Sequence, residues 1–295
     1  MKNESQRLST GVPGLDEMLG GGLIPGTLTV VAGATGAGKT QLGLQFAHAG
    51  GAREGRRGIV FDMSARGDGQ NHASYARRMF DWELQAADSH QPSQLDGFFD
   101  RLDACGNYLR AFDYYGRRVT RADLSFEAWQ DWQSELSRKL AATIAFFYGN
   151  FLRGARRVVV DGIEPVGRAS ESIQIELFEY VYHQILRKDP EWVARDLFRE
   201  RFRENAERVA ATIYDNAQIG CVLLYTSAEV MLEELAARPL AEGDLLANAN
   251  TIIQLGKMRS GNKLSRALHI AKHRGSACSD EMVTYTIDDH GLRIG

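Results

Sequence analysis

Gly33-Ala34-Thr35-Gly36-Ala37-Gly38-Lys39-Thr40 decides the reading of this chain, because its glycine and lysine spacing is that of a phosphate-binding loop. A phosphate chain needs several N–H donors at close range, and glycines at 33, 36 and 38 let the backbone turn its amides inward. Before the loop, Thr27 to Ala32 is an apolar, partly β-branched run that reads as a strand. After it, Lys39 to Ala49 reads as a helix. The loop therefore ends at a helix N-terminus, whose partial positive charge also favours phosphate. The candidate nucleotide-binding residues are Gly33, Thr35, Gly36, Ala37, Gly38, Lys39, Thr40 and Gln41. Lys39 is expected to reach the β and γ phosphates of ATP or a similar nucleotide, and Thr40 to ligate Mg2+.

Working outward, Gly58 to Met63, Arg157 to Asp161 and Ile219 to Tyr225 are further short apolar runs. Such runs separated by helical stretches indicate an α/β fold with a mostly parallel sheet covered by helices on both faces. Asp161 ends one of these strands and is the candidate for the second magnesium contact, direct or through water. The alternative for Asp161 is a helix N-cap or turn residue, since Gly162 follows it. Near the C-terminus, Thr251 to Leu255, Arg266 to Lys272 and Met282 to Ile287 alternate with Gly-Asn and Asp-Asp-His-Gly turns, which predicts antiparallel strands extending the sheet.

Two long segments separate the core strands. In the first, Trp129, Trp132, Leu136, Leu140, Ile144, Phe147 and Phe151 recur at helical spacing. Trp129, Trp132, Phe146, Phe147, Tyr148 and Phe151 could stack bases, but that spacing more often packs a core. The second holds Ile173 to Leu186 and then, from the Asp189-Pro190 start signal, a helix to about Asn216. Its interleaved charges, Arg195 to Arg208 against Asp196, Glu200, Glu204 and Glu207, read as a solvated face laced with i,i+4 pairs.

The bulk composition sets limits around this. With 38 acidic against 35 basic residues and a formal charge of -3, no global field draws the chain to nucleic acid or an anionic membrane. Cys105, Cys221 and Cys278 lie far apart, which argues against a disulfide framework. The first residues lack the apolar core of a signal peptide, and no apolar run reaches the ~20 residues needed to span a bilayer. A cytoplasmic location is the expectation.

The opening Leu8-Ser9-Thr10-Gly11-Val12-Pro13-Gly14-Leu15-Asp16, followed by Gly21-Gly22-Leu23-Ile24-Pro25-Gly26, resembles the start of KaiC-like and RadA-like members of the RecA superfamily of P-loop ATPases. Leu264 to Ser276 resembles the KaiC segment whose Lys-x-Arg pair reaches the ATP of the adjacent subunit, and Lys272 and Arg274 match that pair. Their simpler reading is two solvent-facing cations on one face of a strand. The resemblance covers roughly residues 8–66, 155–167 and 217–295. It implies one RecA-like domain over 1–295, with helical insertions at about 84–153 and 168–216. It also implies a homo-oligomeric head-to-tail ring of six subunits with nucleotide between them. Thr226 and Ser227 stand where the RecA family senses the γ-phosphate, strand-end capping being the equal alternative.

The sequence departs from the family at two places. KaiC-like ATPases carry water-activating glutamates where this chain has Ser64 and Ala65, and loss of general-base assistance typically costs about 10²–10⁴ in rate. Asp62 or Glu164 is the substitute on offer. The segment aligned with KaiC autophosphorylation, Ala241 to Asn250, contains no Ser or Thr. The expected function is thus Mg-ATP binding as an assembly or conformational switch, with slow or absent hydrolysis and a protein partner for the inserted helices. An active oligomeric ATPase is the first alternative. A RadA-like DNA-binding repair ATPase is the second, with little support in the sequence because no basic run with interleaved aromatics follows Asp161 or Ser227.

Overall fold

Leu28–Gly33 (β1), Ile59–Asp62 (β2), Arg157–Ile163 (β4) and Gly220–Thr226 (β5) are buried along most of their length, as strands covered on both faces require. With Tyr108–Arg110 (β3), Thr251–Ser260 (β6), Lys263–His273 (β7), Val283–Asp288 (β8) and Gly291–Ile294 (β9) they form one sheet in the order β3-β2-β4-β5-β1-β6-β7-β8-β9. Strands β1 to β6 pair in parallel; β7, β8 and β9 add on antiparallel, as the alternating C-terminal pattern predicts. The computed structural model describes residues 6–64, 71–87, 95–112, 125–163, 172–237, 248–275 and 277–295, the side chains of 132–138 and 173 apart.

The helices are Pro13–Met18 (α1), Lys39–Arg53 (α2), His72–Phe80 (α3), Phe126–Leu152 (α4), Ile173–Val181 (α5), Pro190–Phe198 (α6), Phe202–Ala211 (α7) and Leu232–Ala237 (α8). None among the described residues is long and apolar enough to cross a membrane. Helix α4 starts on a Ser125 cap, its side chain accepting from the Ala128 N–H, and buries Phe146, Phe147, Tyr148 and Phe151 in the core, Phe147 against Phe61 of β2 and Tyr148 against Phe98 and Phe198. These aromatics are core, which removes them as a base-stacking surface; the side chain of Trp132 lies outside the described residues.

Two features differ from the sequence expectation. The first inserted segment contributes β3, whose three residues are too few to show a period of two, and which pairs along β2. The expected helix from Pro190 to about Asn216 is broken at Arg199, which takes a left-handed φ of 48°. The break lets Phe198 turn inward and stack on Phe99 while α7 folds back along α6. The arginines of this region also do more than line a solvated face. Arg201 pairs with Asp96 and Arg208 with Asp100, so exposed ion pairs link the segment between β2 and β4 to the one between β4 and β5.

The opening motif also has a local reason. Asp16 accepts from the Ser9 hydroxyl at 2.5 Å, the Thr10 N–H at 2.6 Å and the Thr10 hydroxyl at 2.6 Å, fixing the entry to α1. Arg157, at the start of β4, then holds this segment to the sheet. Its side chain is fully buried, bidentate to Glu54 at 2.6 and 2.8 Å, and donates to the carbonyls of Ser9 at 2.6 Å and Phe46 at 2.8 Å. Removing one partner of a buried ion pair leaves the other charge without compensation and typically costs about 3–5 kcal/mol. Arg157→Ala is therefore expected to lower stability by about that amount in urea unfolding, with a loss under about 1 kcal/mol contradicting the assignment.

Candidate functional site

The site lies at the carboxyl ends of the parallel strands, where an open α/β sheet offers its crevice. Strand β1 delivers Gly33 between β5 and β6, with Thr226 and Leu255 as its register partners. The chain then turns through Ala34, Thr35, Gly36, Ala37 and Gly38 into α2. Gly38 has φ of 103°, a backbone conformation that favours glycine, and a Cβ there would also displace the Ile287 Cδ1 methyl, 2.5 Å away. The loop is braced from behind by β8, whose Tyr285 hydroxyl donates to the Ala37 carbonyl.

Lys39 is folded back over the loop, its Nζ donating to the carbonyls of Gly33 at 2.8 Å and Ala34 at 3.0 Å. Burial pushes its pKa down to about 8, against the raising influence of Asp161. A triphosphate would supply the negative charge that such a buried ammonium needs. Gln41 follows on the first turn of α2 and is half-buried.

Asp161 reaches the loop through an irregularity in β4. The register with β5 shifts between Val160 and Ile163, and Gly162 has φ of 97°. Such a bulge re-aims a side chain beside a site. The carboxylate is held on both oxygens: Gly162 N–H donates to Oδ1 at 2.7 Å, and the Thr40 hydroxyl donates to Oδ2 at 2.7 Å. Thr40 and Asp161, expected as the metal pair, are thus together. Burial opposes the charged form of Asp161, but hydrogen bonds from His72 and Thr40 and the charges of His72 and Lys39 hold its pKa below the ordinary value.

Sequence reasoning missed His72. It opens α3 behind the Asn71 cap and lies fully inside the site, with Nε2 3.0 Å from Asp161 Oδ2 and Nδ1 3.6 Å from Asp62 Oδ2. Burial works against its protonated form, yet the hydrogen bond and charge of Asp161, with the charge of Asp62, raise its pKa overall, Arg110 opposing. Asp62 is committed in turn: Tyr108 donates to its Oδ2 at 2.5 Å and the Ser64 N–H to its Oδ1 at 2.8 Å. Gln174 ties the two strand ends, donating to the carbonyls of Met63 at 2.7 Å and Gly162 at 2.8 Å. His72 lies 89 residues from Asp161 and Tyr108 46 from Asp62, so no local spacing could have signalled those contacts.

The remaining candidates fall into three groups. Ser227 stands beside the loop, its N–H donating to the Gly33 carbonyl at 3.0 Å, but its hydroxyl donates to the Glu229 carbonyl at 3.2 Å, which is strand-end capping. Lys272 pairs with Ile252 near the start of β6, and the Arg274 N–H donates to the Asn250 carbonyl, so both lie toward the opposite end of the sheet from their own Gly33. Glu164, Ala65 and Ala241 to Ala247 lie outside the described residues.

Among the described residues no three His, Cys, Asp or Glu side chains converge as a metal cage.

The family described as "ATPase: KaiC" matches residues 8–102. Over its full length the chain is 24% identical to the circadian clock protein KaiC2 of Synechocystis sp., spanning 42% of that protein. A stretch of 83 residues, 28% of this chain and 15% of the relative, is 37% identical to the circadian clock oscillator protein KaiC of Rippkaea orientalis. Another of 50 residues, 17% of this chain and 10% of the relative, is 48% identical to the DNA repair protein RadA of Mycobacterium tuberculosis. The chain spans less than half the length of these relatives.

The raised pKa of His72 gives a signed prediction. The folded state binds its proton more tightly than the unfolded one, so the stabilisation is complete below the ordinary value of 6.5 and is lost as pH rises through the folded value. Without nucleotide or magnesium, wild-type stability should fall relative to His72→Gln as pH rises above about 6.5 in urea unfolding; parallel pH profiles would contradict it.

Proposed function

We propose that this chain, a KaiC-like P-loop protein of the RecA superfamily, binds Mg-ATP as an assembly or conformational switch and hydrolyses it slowly. The observation that carries the second half is the state of Asp62. It is the carboxylate nearest the missing glutamates, is buried, and accepts hydrogen bonds from Tyr108 and Ser64. A general base must present a free lone pair to the attacking water within hydrogen-bond reach, and these contacts hold Asp62 in a structural role. Asp161 is likewise occupied by Thr40, His72 and the Gly162 N–H.

Thr40 and Asp161 would hold the magnesium, which supplies charge neutralisation at the β and γ phosphates when bound. Lys39 and the loop amides bind and orient the nucleotide, with Gly33, Thr35, Gly36, Ala37, Gly38, Thr40 and Gln41 around it.

The distance of Lys272 and Arg274 from their own loop supports a role in trans. Cations delivered across a head-to-tail interface would complete a neighbour's site and make occupancy depend on assembly, in a ring for which six subunits is our reading. The paired arginines and exposed Trp192 of the second inserted segment suit a protein partner better than nucleic acid.

Labelled ATP and native mass together test the proposal. Tight ATP binding, turnover well below one per second, and a larger mass with ATP than with ADP are expected. Turnover of several per second, abolished by Lys39→Ala, would mean an active ATPase instead. The double substitution Lys272→Ala and Arg274→Ala should abolish ATP-dependent assembly, and with it the gain in nucleotide affinity that assembly brings, while the unassembled subunit keeps its affinity within about threefold; unchanged assembly would remove the trans role.

A further inference from the structure

A second polar cavity of about 270 Å³ lies at the other end of the sheet, lined by Arg56, Arg57 and Arg153 with Trp82, Gln85 and Asn107. Arg56 and Arg57 come just before β2, and Arg153 just before β4, so this is where the strands begin that end at Asp62 and Asp161. Helix α2 separates it from the Gly33–Thr40 loop by its 15 residues, about 22 Å of helix.

Among the described residues the cations here are only partly balanced. Glu54, next to the arginines in sequence, is bidentate to Arg157, and Glu83, a carboxylate that also lines the cavity, is exposed and pairs with Arg77. Asp103 meets one nitrogen of Arg153 at 2.8 Å, and that carboxylate is itself almost wholly exposed, so solvent screens it. The Nε of Arg153 is buried without a partner among the described residues. No described carboxylate forms an ion pair with Arg56 or Arg57. Burial and the adjacent Arg153 charge depress the Arg56 pKa, Asp103 opposing, as expected for like charges facing one another.

The uncharged groups point the same way. Asn107 gives its Oδ1 to the Gln85 N–H at 2.8 Å, which leaves its amide nitrogen as a donor. The Arg57 guanidinium lies over the Trp82 ring at 5.6 Å, which fixes its plane. Three guanidinium groups line one cavity, their planar N–H forks match the oxygens of a phosphate group, and the volume suits a small anion rather than a polymer.

We propose that this cavity is a second anion site, separate from the Gly33–Thr40 loop, that binds the phosphate or pyrophosphate group of a small molecule.

Calorimetric titration of the full chain with pyrophosphate tests it, using Lys39→Ala to weaken the loop site. The Lys39→Ala protein should still bind pyrophosphate, and adding Arg56→Gln and Arg153→Gln should weaken that binding at least tenfold. ATP binding by the Arg56→Gln, Arg153→Gln protein with Lys39 intact should stay within about threefold. Removing one of several facing cations should leave the thermal midpoint of Arg56→Gln unchanged or higher without pyrophosphate. If the double variant does not fold, Arg57→Glu, at an exposed position, should give the same tenfold loss. Absence of binding to Lys39→Ala, or equal binding after either set of substitutions, overturns the proposal. So does a single-stranded oligonucleotide that competes as well as pyrophosphate, since that would make the arginines an open nucleic-acid surface.

Discussion

A fully buried carboxylate must be given its hydrogen bonds by the fold, because desolvating an anion costs several kcal/mol unless donors surround it. Asp161 is that group. Meeting its demand fixes three elements at once: the bulge after Val160 supplies the Gly162 N–H, the first turn of α2 supplies Thr40, and α3 supplies His72. The phosphate loop is therefore anchored through the threonine that ends it, and α3 is drawn in by its first residue. His72 in turn faces Asp62, which Tyr108 holds from β3, so the requirement of one oxygen atom extends to the edge of the sheet.

Strand β4 carries the opposite problem at its other end. Arg157 is a buried cation answered by Glu54 and by the carbonyls of Ser9 and Phe46. Since Glu54 caps the C-terminal end of α2 and Thr40 lies at its start, both buried ions of β4 are bonded to the same helix. Helix α2 is thus located at two points by charge as well as by packing of Leu42, Leu44 and Phe46. This rigidity suits a loop that must hold its amides in place before a ligand arrives, since preorganised donors cost little to use.

What the sequence disclosed follows from the range of the interactions. The loop is one contiguous run between a strand and a helix, and Asp161 stands at a strand tip, so local pattern was enough for both. The bonds from His72 to Asp161 span 89 residues and from Tyr108 to Asp62 span 46, and only the assembled sheet brings them together. The Tyr285 support under Ala37 is longer still, at 248 residues. The break at Arg199 escaped for a different reason: a left-handed residue other than glycine or asparagine leaves no compositional mark, and the surrounding charges continue the helical rhythm.

The same network bears on how the site divides binding from chemistry. Binding needs the loop amides, a cation and a metal pair, and Lys39, Thr40 and Asp161 stand together in one buried cluster. Cleavage needs in addition a base that is free to accept a proton. Asp62, the described carboxylate beside the positions of the family's glutamates, serves as the acceptor for the Tyr108 hydroxyl and the Ser64 N–H. Releasing it toward a water would leave both donors buried and unbonded, a cost of roughly 1–3 kcal/mol for each. On the reading proposed above, the interactions that stabilise the carboxyl end of β2 act against use of Asp62 as a base, while those around Asp161 and Lys39 would favour a held triphosphate.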